Sequence, residues 1–290
     1  MEASPRTARA FPVALVVGGI VSVQSGSALA TTLFEDLGPA GTVFLRSLFA
    51  AVVLVALWRP SFRGRPREAL RIAAIYGVAL AAMNLCFYEA LDRLPLGIAV
   101  TLEFVGPLGV AVLSTRKAVD FIWVALAAAG IVLLSGGLGG SGIDGLGAAL
   151  ALVAGFFWGA YIFIAADVGR AFEGGAGLAI GMVVSALLLI PFGVAGGGAD
   201  LLDPRLLALG AGVAILSSVI PYSFELEALR RLPAGVFGVL MSLEPAVAAL
   251  IGFIALDQAL ATREVVAIAL VVAASAGALR SSAGPPPIEP

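Results

Sequence analysis

Apolar runs about as long as a bilayer is thick recur from one end of this chain to the other. A helix needs about 20 predominantly apolar residues to cross about 30 Å of hydrocarbon. Read between charged, Gly and Pro punctuation, the 290 residues hold ten such runs, over 11–33, 39–58, 69–91, 95–114, 119–138, 145–166, 175–195, 205–226, 233–256 and 264–280. Composition agrees: 60% of residues are hydrophobic and 12% charged, with mean hydropathy +1.06, against about 25% charged in a soluble domain. The sequence therefore predicts an all-α integral membrane protein of ten transmembrane helices.

The basic residues set its orientation. With an intracellular N-terminus, thirteen of the 17 Lys and Arg fall on the cytoplasmic side, Arg93, Arg205 and Arg263 fall outside, and Arg46 lies within a span. Moving the parity by one helix spoils this bias, so both termini are expected in the cytoplasm. Residues 1–10 then form a short cytoplasmic segment, and the Pro-rich tail 281–290, SAGPPPIEP after Ser281, reads as disordered. The first span also has the basic start and the A-x-A ending, at Ala28 and Ala30, of a cleaved signal peptide. Cleavage would leave nine spans and break the symmetry described next, so the first span is read as a transmembrane helix.

Two stretches, EALDRLPLGIAVTLEFVGP from Glu89 and EALRRLPAGVFGVLMSLEP from Glu227, match in register 138 residues apart. In each, a Glu and an Arg four residues on, Glu89 with Arg93 and Glu227 with Arg231, suit one helix face. Pro95 and Pro233 then suit the first turn of the next helix, where no amide donor is needed. The first copy joins spans three and four and the second joins eight and nine. Five spans separate them, so the two halves, 11–140 and 141–280, enter the membrane with opposite orientation. Such inverted repeats belong to transporters with a substrate site near the midplane.

An ionisable group inside lipid costs about 2.5–3.5 kcal/mol on insertion scales and needs a reason to be there. Glu103 lies about 12 Å into span four and Glu244 about 16 Å into span nine, at 1.5 Å per residue. Each precedes a proline, Pro107 or Pro245, which frees the carbonyl four residues earlier, that of Glu103 or Met241. Both carboxyls are candidates for proton coupling or for binding a substrate amine, the alternative being a buried Glu held by Arg46 or by hydroxyls. Arg46 is read either as a substrate-carboxylate clamp or as an internal partner for a Glu or a helix end. Polar stripes at helical spacing, Gln24 with Ser27 and Thr31, Asn84 with Tyr88, Trp158 with Tyr161, and Ser218 with Tyr222 and Glu225, are candidates to line a cavity or to glue helices together.

Other chemistries are excluded or disfavoured. The chain has no His and one Cys, Cys86, so Ser-His pairs, HExxH sites and internal disulfides are impossible, and neither a metal nor another cofactor is expected. The only Lys, Lys117, is followed by Ala118, so there is no P-loop. An intramembrane enzyme lacks a visible nucleophile–base pair. The expected partners are a small-molecule substrate, protons and membrane lipid rather than nucleic acid.

GTVFLRSLFA in span two, PLGIAVTLEFVGPLGVAVLSTRKAVDFIWV across spans four and five, and AILSSVIPYSFELEALRRLP with GVLMSLEPAVAAL in the second half resemble the EamA-type family of the drug/metabolite transporter superfamily, over all of the chain but its ends. The resemblance implies a ten-helix inverted-repeat transporter of the bacterial inner membrane. It further implies proton-driven export of small, threonine- or homoserine-like amino acids by alternating access. Efflux of aromatic or cationic hydrophobic compounds is the alternative, with Trp158, Tyr161 and Tyr222 as stacking surfaces. One departure stands out: after span nine, LDQAL, with Asp257 and Gln258, replaces the family's common Gly-Glu-x-Leu.

Overall fold

The computed structural model describes residues 5–61, 65–115, 120–134, 143–229, 231–232 and 234–282. Part of the basic link after span two, Lys117, Pro233 and the tail beyond 282 lie outside the described residues. All regular structure among the described residues is helical. In the first half, α1 (Pro5–Thr31), α2 (Phe34–Trp58) and α3 (Arg67–Leu91) are long; α4 (Leu96–Glu103) and α5 (Val105–Thr115) share one span, and α6 (Asp120–Leu134) follows. In the second half come α7 (Gly145–Ala171) and α8 (Ala176–Gly197), then α9 (Pro204–Ala214) and α10 (Ile220–Leu229) joined by a π-helical turn, Ile215–Val219. Last are α11 (Ala234–Met241) with α12 (Glu244–Leu256), and α13 (Thr262–Ser282). Seven helical stretches are long and apolar enough to cross a membrane, and Leu96–Val110 and Phe121–Leu134 are shorter apolar helices. Side chains such as Phe121, Val52 and Leu57 stand exposed on the outer wall, as lipid contact requires.

Local chemistry explains the boundaries. Asp144 accepts from the Gly147 amide at 2.6 Å to open α7, and Asp203 accepts from Arg205 at 2.7 Å to open α9, with Pro204 at the first helical position. Pro39 follows a kink at Gly38 (φ 64°, ψ 168°), where an extended turn inside α2 needs a residue without Cβ. That kink coincides with the expected start of span two.

The two half-span breaks fall in the same register. A shift of 138 residues carries α4, Leu96–Glu103, onto α11, Ala234–Met241, end for end. Each break lies just ahead of its proline, Pro107 or Pro245, whose missing N–H cannot continue the ladder. Both hairpin ion pairs form as the spacing predicts: Arg93 donates to Glu89 at 3.1 Å, and Arg231 pairs with Glu227.

Packing runs between the halves. The α2 helix lies along α8, α3 along α7, α1 along α10, α6 along α13, and α4 against α12. Small residues permit the close approaches: a Cβ on Gly77 would lie 2.6 Å from the Gly181 carbonyl oxygen, where α3 crosses α8.

At the end of α12, Asp257 is left-handed (φ 54°, ψ 29°), the conformation that glycine takes without strain. Asp257→Gly is expected to leave stability within about 1 kcal/mol, on the stabilising side. The apparent melting temperature in detergent measures it.

Candidate functional site

A hydrogen-bonded polar centre forms around Arg46. This side chain is 6% exposed, and its hydrogen bonds among the described residues go to neutral acceptors. Nε donates to Ser218 Oγ at 3.2 Å, one terminal nitrogen donates to the Tyr88 hydroxyl at 3.3 Å, and the other donates to the Ser217 carbonyl at 3.0 Å. The guanidinium carbon lies 5.4 Å from the Tyr88 ring centre. The Ser217 carbonyl is available for a plain reason: in an α-helix its donor would be residue 221, which is Pro221. The π-helical turn Ile215–Val219 sits at that defect. Arg46 is thus bound to a helix defect in the second half of the chain, through a backbone carbonyl rather than a carboxylate.

The two midspan carboxylates are buried, Glu103 at 8% and Glu244 at 5% exposure. Among the described residues neither they nor the half-buried Glu225 receives a hydrogen bond or ion pair. They are nevertheless within electrostatic reach of the polar centre. Glu103 interacts with the Arg46 charge, Glu244 with Glu103 and Glu225, and Tyr222 with Arg46 and all three carboxylates. Charges buried without bonded partners are costly.

The remaining candidates divide. Tyr88 (fully buried) and Ser218 belong to the Arg46 centre. Tyr161 stacks on Tyr76 at 5.0 Å between ring centres, and Trp158 meets Phe104, next to Glu103, edge-on at 5.3 Å. Asn84 spends its amide on the Leu80 carbonyl of its own helix at 2.8 Å, and Thr31 likewise bonds Ala28 at 2.8 Å. These two act as local helix contacts rather than joining the centre. Gln24 is buried and its side-chain oxygen has no hydrogen-bond partner among the described residues.

Sequence reasoning missed three members. Ser217 carries no polar signal beyond its hydroxyl, but Pro221 four residues later marks its carbonyl as free, as Pro107 marks that of Glu103. Tyr76 was not among the polar stripes because α3 carries no polar residue three or four positions from it. Gln258, which bonds the Leu96 amide at 2.9 Å across the two halves, was noticed only as a departure from a family pattern.

The EamA-like transporter family model matches residues 145–280. The threonine/homoserine exporters RhtA of Salmonella typhimurium (strain LT2) and Escherichia coli (strain K12) are each 42% identical over 269 residues, covering 92% of this chain and 90% of theirs. A solved crystal structure, 18% identical, superposes on 91% of this chain and 95% of its own with a TM-score of 0.61, a likeness of fold. Two relatives that align over nearly their whole length, with the family model on the second half, leave one assignment. The chain belongs to the EamA-like transporter family and is a multi-pass protein of the bacterial inner membrane.

Proposed function

We propose that this protein exports threonine- or homoserine-like amino acids from the cytoplasm, coupled to protons, by alternating access between two inverted five-helix halves, 11–140 and 141–280. The observation that carries the substrate class is the 42% identity, over 92% of the chain, to two proteins named as threonine/homoserine exporters. The ten-span count with both termini cytoplasmic rests on the positive-inside bias and on the two half-span breaks in one register. Proton coupling rests on Glu103 and Glu244, which are buried in mid-span and lack bonded partners. A proton and a substrate ammonium compete for the same carboxylates, which is the simplest form of antiport. Arg46 holds the second half's helix defect against the first half, and Gln24, Tyr161 and Trp158 border the route.

Transport in proteoliposomes tests this, with labelled threonine and homoserine, an imposed pH gradient, and wild type beside Glu103→Gln and Glu244→Gln. Wild type is expected to move both amino acids against their gradient. One Gln variant is expected to keep exchange and lose its dependence on the pH gradient, which identifies the coupling carboxylate. Wild type that carries aromatic cations and neither amino acid would overturn the substrate class and leave the architecture standing.

A further inference from the structure

The broken spans α4/α5 and α11/α12 meet in a lopsided way. At one end α4 packs against α12: a Cβ on Gly97 would lie 2.7 Å from the Ala249 Cα, and one on Gly252 would lie 3.5 Å from the Leu96 Cβ. Leu96 is fully buried in this seam, with Ile251 and Leu256 packed on the same cluster. At the other end α5 packs on α7 and α13 while α11 packs on α1 and α13; among the described residues α5 and α11 do not run along each other. Exchange of the halves would carry the α4/α12 contact onto α11/α5, and among the described residues that second seam is not packed as the first is. In sequence the small pair is written twice: a shift of 138 residues takes Gly97 to Gly235 and Ala249 to Ala111. With cytoplasmic termini, the packed end faces outward and the separated end faces the cytoplasm. The molecule is therefore closed outside.

One side chain spans the closed seam. Leu96 follows Pro95 at the start of α4, and its amide is among the first-turn donors that no helix carbonyl can serve. Gln258 Oε1 accepts from it at 2.9 Å, reaching over from the turn after α12. That turn is shaped for the task. Asp257 takes the left-handed conformation, the Gln258 amide returns to the Gly252 carbonyl at 3.1 Å, and a Cβ on Gly252 would lie only 2.7 Å from Gln258 Oε1. The bond joins residues 162 apart in the two halves. If the mouth opens, it must break and water takes its place.

We propose that Gln258 is the clasp of the outer gate, a positioning residue that sets the balance between outward-closed and outward-open states by holding the α4 N-terminus to the end of α12. The proposal rests on the transporter reading for its orientation. One net hydrogen bond corresponds to a shift of about fivefold in that balance.

The test reads accessibility from outside. Thr101 is fully buried one turn below Gly97, hence on the face turned to α12, and its hydroxyl serves only its own helix. Thr101→Cys in a Cys86→Ala background is treated in intact cells with a membrane-impermeant maleimide, alone and with Gln258→Leu or Gln258→Glu. Gln258→Leu, which removes the acceptor, is expected to speed labelling about fivefold. Gln258→Glu, which keeps an acceptor at a helix N-terminus, is expected to leave it unchanged or slower. Melting temperatures of the three proteins should agree. Equal labelling in Gln258→Leu, faster labelling matched by a lower melting temperature, or labelling reached only from the cytoplasmic side would each overturn the clasp. Failure of the parent protein to move any amino acid in proteoliposomes overturns the transport reading instead, and the labelling comparison is decided independently of it.

Discussion

Arg46→Met is expected to lower stability by about 2–4 kcal/mol and to abolish transport. Three hydrogen bonds from a charged donor are lost at once, to Ser218, Tyr88 and the Ser217 carbonyl, and bonds of this kind are worth about 1.5–3 kcal/mol each. Against that stands relief of a buried charge, costing about 2.5–3.5 kcal/mol on insertion scales. The bonds win because Ser217 cannot recover: its α-helical donor position is Pro221, so its carbonyl stays orphaned in the membrane interior. This reasoning gives a second, sharper expectation. Pro221→Ala supplies the missing N–H, so it should restore about 1 kcal/mol in the Arg46→Met background and little in wild type, where Arg46 already fills the carbonyl. Arg46→Lys should fall between, since a single ammonium cannot reach three acceptors in a planar fork. Apparent melting temperature and proteoliposome transport of the four variants check it. Additive effects of Arg46→Met and Pro221→Ala would show that the proline is not what makes the arginine necessary.

The half-span breaks were legible because prolines in membrane helices mark which backbone groups they free, whereas Pro221 beside the Arg46 centre was not read that way. The duplication around Pro107 and Pro245 foretold two breaks in register, and α4 and α11 end where that shift requires. Arg46, Tyr88 and Ser218 were readable as polar groups on apolar faces. What stayed hidden was pairing across the halves, because a hydrogen bond between residues 172 apart, as from Arg46 to Ser218, leaves no local pattern. Asn84 shows the limit in the other direction. A buried amide on an apolar helix looks like a site, yet its donor is absorbed by Leu80 four residues back, and sequence spacing cannot tell a ligand-facing amide from one turned onto its own backbone. Gln258 stayed obscure for a third reason: its partner is a main-chain amide, which any residue but proline at position 96 would supply.

Gly106→Ala, the addition of one methyl group, is expected to cost about 3 kcal/mol or more, while Gly109→Ala one turn on is expected to be neutral or stabilising by up to about 1 kcal/mol. Both glycines lie in α5, so propensity alone predicts the same gain for each. Packing separates them. A Cβ on Gly106 would overlap the Gly155 carbonyl oxygen and stand 2.5 Å from its carbon, backbone against backbone, whereas nothing lies within 4 Å of a Cβ on Gly109. Gly155 in turn sits on the Glu103 carbonyl, the oxygen that Pro107 leaves without a helical donor, and a Cβ there would collide with it. The freed carbonyl of the break is thus covered by α7, and only two glycines facing each other let the helices come that close. Forcing them apart has no inexpensive relaxation, because neither obstacle is a flexible side chain. Gly106→Ala should therefore reduce the folded yield and melting temperature, and in the surviving protein it should impair transport through displacement of the neighbouring Glu103. Size-exclusion recovery and melting curves of the two alanine variants side by side make the comparison. Equal behaviour would mean that α5 and α7 do not meet at Gly106 and Gly155, and that the Glu103 break is supported from elsewhere.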